Sequence, residues 1–237
     1  MDIFTSFAII GLCAAIHASF HLSISVLTLL SGHTLSRERS HLKLVKLAFA
    51  LVSGTISATI LLFCTFAFIL ETFYNFSLVR FFWALAIGIS IGAGISVWAF
   101  YYKRNSKKTA GTEMWIPRGY AKFLDKRARR TRHSAEAFSL GVSSVLSEII
   151  FIAAPMLAAI LASINLTPAF QFVAVVFYTS VANLPIFAIA CLISGGHSLA
   201  KIQIWRENNK RFLQFAAGFG LFILAFVIFV NIFGEKL

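Results

Sequence analysis

Acidic side chains are scarce in this chain. Nine Asp and Glu stand against 21 Lys and Arg, and Glu148 is the one carboxylate deep inside an apolar run. Charged residues of both signs reach only 13% of the chain, about half their share in a soluble domain. A water-soluble fold would have nowhere to put the remaining apolar surface, which excludes that class. Cysteine is confined to Cys13, Cys64 and Cys191, each within an apolar run, so an extracellular disulfide framework is excluded as well. There is no nucleophile–base set and no Gly-rich phosphate loop, and no enzymatic activity is expected. The opening Met1-Asp2-Ile3-Phe4 lacks a basic stretch, and the apolar run after it is too long for a cleaved secretion signal. That run is expected to stay as a membrane span.

What is abundant is apolar surface: 59% of the residues are hydrophobic and 26 of them are Phe. A bilayer core takes about 20 apolar residues per helix, and six runs meet that length, at about 4–31, 47–70, 79–101, 137–163, 169–193 and 212–233. The expected fold is an all-α integral membrane protein with six transmembrane helices.

The basic residues are not spread evenly. Arg37, Arg39, Lys43 and Lys46 lie between spans one and two, and Lys201, Arg206, Lys210 and Arg211 between spans five and six. The longest connection, between spans three and four, holds eleven, from Lys103 to Arg132. The other two connections, Glu71–Leu78 and Ile164–Pro168, hold none. Lys and Arg near span ends stay on the cytoplasmic side, which places both termini outside and the basic loops inside a cell (plasma) membrane. The basic balance therefore points to anionic lipid headgroups as partners and not to nucleic acid. Within the long loop, Tyr120, Phe123 and Leu124 among basic residues suit a helix lying on the inner surface.

Six spans with both ends outside make two three-span halves of opposite topology: residues 1–101, a basic linker 102–136, and residues 137–237. Laying Gly11–His17 over Gly141–Ser147 matches the glycines and keeps small residues opposite small ones. Gly88 and Gly92 in span three are expected to serve helix packing.

Chemistry concentrates in spans one and four. Cys13, His17, His21 and Ser25 recur every fourth residue, one stripe on a helix. His21 is one turn, about 6 Å, from His17. Glu148 sits at mid-span in span four with Ser144 and Ser147 beside it. A charge at the centre of a lipid-facing helix costs about 2.5–3.5 kcal/mol on insertion scales. No Lys or Arg lies deep within the spans to offset it, Arg80 standing at the edge of span three, so Glu148 is expected to face the bundle interior, protonated, hydrogen-bonded or held against a cation. Pro155 in the same helix and Pro185 in span five are expected to break their helices, as happens at transporter sites. The candidate substrate site is one midplane cluster of His17, His21, Ser144, Ser147, Glu148, Thr179 and Asn183. His17, His21 and Glu148 offer three ligands to a borderline divalent metal, with Cys13 as a softer fourth. The competing reading is structural, with the histidines bonded to carbonyls or Ser to join helices. No cofactor is expected; two histidines of one helix cannot both be axial ligands of one haem.

Six spans, inverted three-plus-three halves, a long basic central loop and polar residues in spans one and four resemble the LysE/DsbD superfamily of small transporters. Gly11 followed by His17 is similar to the histidine-bearing first span of its nickel/cobalt-efflux and UreH-like branch. The resemblance implies transport or export of a small solute; a divalent metal cation is favoured slightly over a small amphipathic metabolite, and the burial expected of Glu148 suits it to proton coupling. A homodimer is a candidate assembly. The electron-carrying CcdA-type members need a cysteine in span four, where Ser143 stands opposite Cys13, which argues against that chemistry here. The alternative is a non-transporting membrane scaffold or assembly component that docks a partner through its basic loops.

Overall fold

The computed structural model describes residues 1–23, 41–73, 76–102, 123–124, 126–128, 130–196 and 199–234. Six long helices account for most of these: α1 Ile3–Ser23, α2 His41–Thr72, α3 Phe76–Ser96, α4 Ser134–Ser163, α5 Pro168–Ser194 and α6 Leu199–Phe233. A π-helical turn, Val97–Tyr102, extends α3. No strand occurs among the described residues. Each of the six carries a stretch long and apolar enough to cross a membrane. The protein is therefore all-α, with six candidate spans.

Helix ends follow local chemistry. Glu136 Oε2 accepts the backbone N–H of Arg132 and of His133, at 2.6 and 3.2 Å, closing the first turn of α4. Thr167 precedes Pro168 at the start of α5, where a missing N–H goes unnoticed. At the other end of α5, Gly196 adopts φ +78°, a conformation that favours glycine.

Several expected boundaries move. The part of span one beyond Ser23 lies outside the described residues, as do Ser25, Arg37, Arg39 and most of the central basic loop, Tyr120 included. The basic stretch expected to be a connection before span six is helical from Leu199 onward, because Lys, Arg, Gln and Glu are good helix formers once outside the apolar layer. Neither proline breaks its helix. Pro155 and Pro185 both lie inside uninterrupted helices. Each removes one N–H donor, and packed neighbours support the helix around that single loss.

α4 is the central element. From Phe151 to Ser163 all but two of its residues are buried, and the small Ala154, Ala158, Ala159 and Ala162 let neighbours come close. Its broadest contact is with α2, and it also packs on α1 and α3. α1 packs on α5 and α6, α2 on α5, and α3 on α6. Apart from α3 and α4, consecutive helices barely touch among the described residues. Two glycines fix the α2–α4 crossing: a Cβ on Gly54 would overlap the Phe138 carbonyl, and one on Gly141 the Leu51 carbonyl. The α3–α6 crossing is similar in kind. Gly94 faces Phe222, Gly218 faces Trp98, and Trp98 stacks on Phe215 with ring centroids 5.5 Å apart. The packing expected of Gly88 and Gly92 is not found among the described residues, none of which lies within 4 Å of a Cβ built on either. They face away from the bundle, and the glycines that matter are the ones at the crossings.

Candidate functional site: a buried His–Glu–Tyr cluster

Contact with α4, α5 and α6 buries much of α1, and it is the stripe of Cys13, His17 and His21 that turns inward. All three are fully buried. Glu148 comes from near the midpoint of α4 and is equally buried. Its Oε2 lies 2.8 Å from His21 Nδ1 and 4.0 Å from His17 Nε2. These are the two ion-pair contacts found among the described residues. One ligand atom from each of the three side chains can be chosen so that all lie within 4.8 Å of one another. The imidazole centroids are 4.4 Å apart at 31°, so the rings face a common space rather than opposite sides of α1.

A fourth member escaped the reading of the sequence. Tyr178 of α5 is fully buried, and its hydroxyl lies 2.9 Å from His17 Nδ1. The signal was available, because a tyrosine mid-way along an apolar helix needs a partner for its hydroxyl. The bond fixes the plane of His17, leaving Nε2 to face Glu148. If the phenol donates to Nδ1, Nε2 carries the ring proton; if Nδ1–H donates to the phenol oxygen, Nε2 presents a lone pair. Aromatic walls close the cluster: Phe63 of α2 packs against Tyr178 at 5.1 Å, and Phe20 stacks on Phe151 at 5.3 Å. Such walls exclude water and strengthen the electrostatics within.

The remaining expected residues divide. Ser144 and Ser147 share α4 with Glu148, and their hydroxyls donate to the carbonyls of Gly141 and Ser144, at 2.9 and 2.5 Å. Thr179 and Asn183 are not brought into the cluster. They lie on the part of α5 that meets α2, where Asn183 Nδ2 donates to Thr179 O at 2.9 Å and reaches Thr59 Oγ1 at 3.5 Å. The reason is angular: Thr179 follows Tyr178 by one residue, about 100° around the helix. Cys13, Cys64 and Cys191 are free thiols, and Cys13 lies outside the three-ligand group.

Chemically, the cluster joins one carboxylate to two imidazoles in a dry space, with a phenol holding one ring. It can keep a single proton between carboxylate and imidazole, or offer oxygen and nitrogen ligands to a borderline cation. No family model, no curated protein and no solved structure matches this chain.

Proposed function

We propose that this chain is a multi-pass transporter or exporter of a small solute in the cell membrane, with a divalent metal cation as first candidate substrate. His17, His21 and Glu148 would bind it at the midplane between α1 and α4. The observation that carries this reading is the convergence of three fully buried ligand atoms, from two helices, within 4.8 Å of one another. A buried set of this kind is expensive to maintain and is functional by default in a membrane-spanning helix. With Glu148 ionised and one imidazole protonated, the cluster is neutral. A dication replacing that proton leaves one net positive charge instead of two, so Glu148 makes proton exchange the natural coupling.

Internal symmetry supports the same reading. Exchanging α1 with α4, α2 with α5 and α3 with α6 maps α2–α4 onto α1–α5 and α3–α4 onto α1–α6, while α1–α4, α2–α5 and α3–α6 map onto themselves. With a shift of 124 residues, Thr59 falls on Asn183, Gly94 on Gly218 and Trp98 on Phe222. The contacts Gly94–Phe222 and Trp98–Gly218 then exchange places. These exchanges support the reading of two three-helix repeats, inverted if all six helices cross the membrane, with substrate sites expected at the midplane between them. The alternation of basic connections supports termini outside, and the resemblance to the LysE/DsbD superfamily points the same way.

The test is flux. Purified protein in liposomes loaded with a metal-sensitive dye should admit Ni²⁺, Co²⁺ or Zn²⁺, and His21→Ala and Glu148→Gln should abolish the signal. Equal flux in both variants would remove the site from the reading. The scaffold alternative has one observation in its favour: just before α4, Phe123, Lys126, Arg127 and Arg130 are exposed while Leu124 and Ala128 are buried, an amphipathic basic edge. A scaffold would keep its function in Glu148→Gln and lose it when Arg127 and Arg130 are neutralised.

A further inference from the structure

Between α2 and α5 lies a cleft of about 270 Å³ that the metal-binding reading does not use. Ile56, Thr179, Ser180, Asn183, Leu184 and Phe187 line it. Two of its oxygens, Thr179 Oγ1 and Asn183 Oδ1, are buried without a hydrogen-bond partner. Thr179 and Asn183 are only 5% and 2% exposed. The amide orientation is set from within the protein. Asn183 Nδ2 points to Thr179 O and Thr59 Oγ1, which leaves Oδ1 as a pure acceptor.

The hydroxyls on the α2 side are already committed. Thr55 donates to Val52 O and Thr59 to Thr55 O. They cannot serve the two free oxygens, and buried polar atoms in a protein interior normally find a partner. The missing partner must donate to Asn183 Oδ1, while the Thr179 hydroxyl can accept from it or donate to it. It must also be uncharged, because no Lys, Arg, Asp or Glu lines the cleft and an ion at this depth would go uncompensated. At the mouth, Ser180 is exposed, and Leu184 and Phe187 are 61% and 46% exposed, in the middle of a helix otherwise apolar along its length. In a bilayer that mouth faces hydrocarbon.

We propose that this cleft binds a neutral amphiphile arriving from the bilayer, with a hydroxyl or N–H group donating to Asn183 Oδ1 and hydrogen-bonded to Thr179 Oγ1, and an apolar chain lying past Ile56, Leu184 and Phe187. The site is separate from the His–Glu–Tyr cluster and stands whether or not that cluster carries a metal.

The test uses the full chain in phosphatidylcholine nanodiscs and a long-chain primary alcohol bearing a diazirine. Photolabel mapped by mass spectrometry should concentrate on Ile56 and the stretch Thr179–Phe187. Asn183→Leu should lower that label about tenfold, the loss expected for one buried hydrogen bond to a ligand. Ile56→Trp, which fills the cleft and keeps both acceptors, should lower it as well and guards against misfolding of the first variant. An alkane diazirine of equal length should not enrich there. Label spread evenly over the outward-facing helices, equal enrichment by the alkane, or no response to either variant would overturn the proposal. So would protection by a short water-soluble diol but not by unlabelled long-chain alcohol, because the occupant would then come from the aqueous phase. Glu148→Gln should leave the labelling intact even where cation flux is lost, so the two readings fail separately.

Discussion

Tyr178 acts on the cluster without supplying a ligand of its own. Its hydroxyl holds His17 at 2.9 Å, and the phenol is wedged between α1 and α2. Tyr178→Phe keeps the ring and removes the bond. It should cost about 1 kcal/mol of stability, read as a lowered melting temperature in detergent, and on the proposed transporter reading should weaken cation binding more than it slows transport at saturation. His21 and His17 should differ in weight. His21 is the closer partner of Glu148, so His21→Ala should destabilise by about 3–5 kcal/mol by stranding a buried carboxylate, and adding Glu148→Gln should recover part of that loss. A double-mutant cycle followed by thermal unfolding measures this; strict additivity would mean that the two groups do not interact. The stripe from Cys13 to His21 could be read from the sequence because helical spacing alone puts every fourth residue on one face. Tyr178 could not be tied to it, because its partner lies 161 residues away and only the α1–α5 contact brings them together.

At the level of helices, the glycines separate into two kinds. Gly54 and Gly141 let the backbones of α2 and α4 touch, whereas Gly88 and Gly92 face open space. Gly54→Ala and Gly141→Ala should each lower stability by about 1–3 kcal/mol through overpacking. Gly88→Ala and Gly92→Ala should raise it slightly, by up to about 1 kcal/mol, through better helix propensity. Retention on size exclusion after a heat step distinguishes the pairs. Run length and composition were enough to find all six helices, because a bilayer demands both. They could not say which glycines meet a neighbour, which depends on crossings between segments distant in sequence, nor that α6 begins at Leu199, because a polar helix beyond the apolar layer looks like a loop in hydropathy. The prolines were misread for a related reason: a lone Pro weakens a helix by one hydrogen bond, and whether the helix breaks is decided by what packs around it.

For the whole molecule, most basic residues that the structure describes collect at the starts of α2, α4 and α6, among them Lys43 and Lys46, Arg127 and Arg130, and Lys201, whereas Arg80 stands near the start of α3. If that end is cytoplasmic, a reporter enzyme active only outside the cytoplasm should work when fused to either terminus and fail when inserted in the central basic loop. The interleaving of the helices bears on biogenesis. Among the described residues α1 finds its partners in α4, α5 and α6, and α2 in α4 and α5, so neither half holds a core of its own there. The first three helices, once inserted by the ribosome-bound translocon, must wait in the bilayer without Glu148 and Tyr178, the partners of His21 and His17, until α4 and α5 are made. Cleavage of the chain between residues 102 and 123 should therefore be tolerated when both pieces are co-expressed, while either piece alone becomes a substrate for membrane quality-control proteolysis.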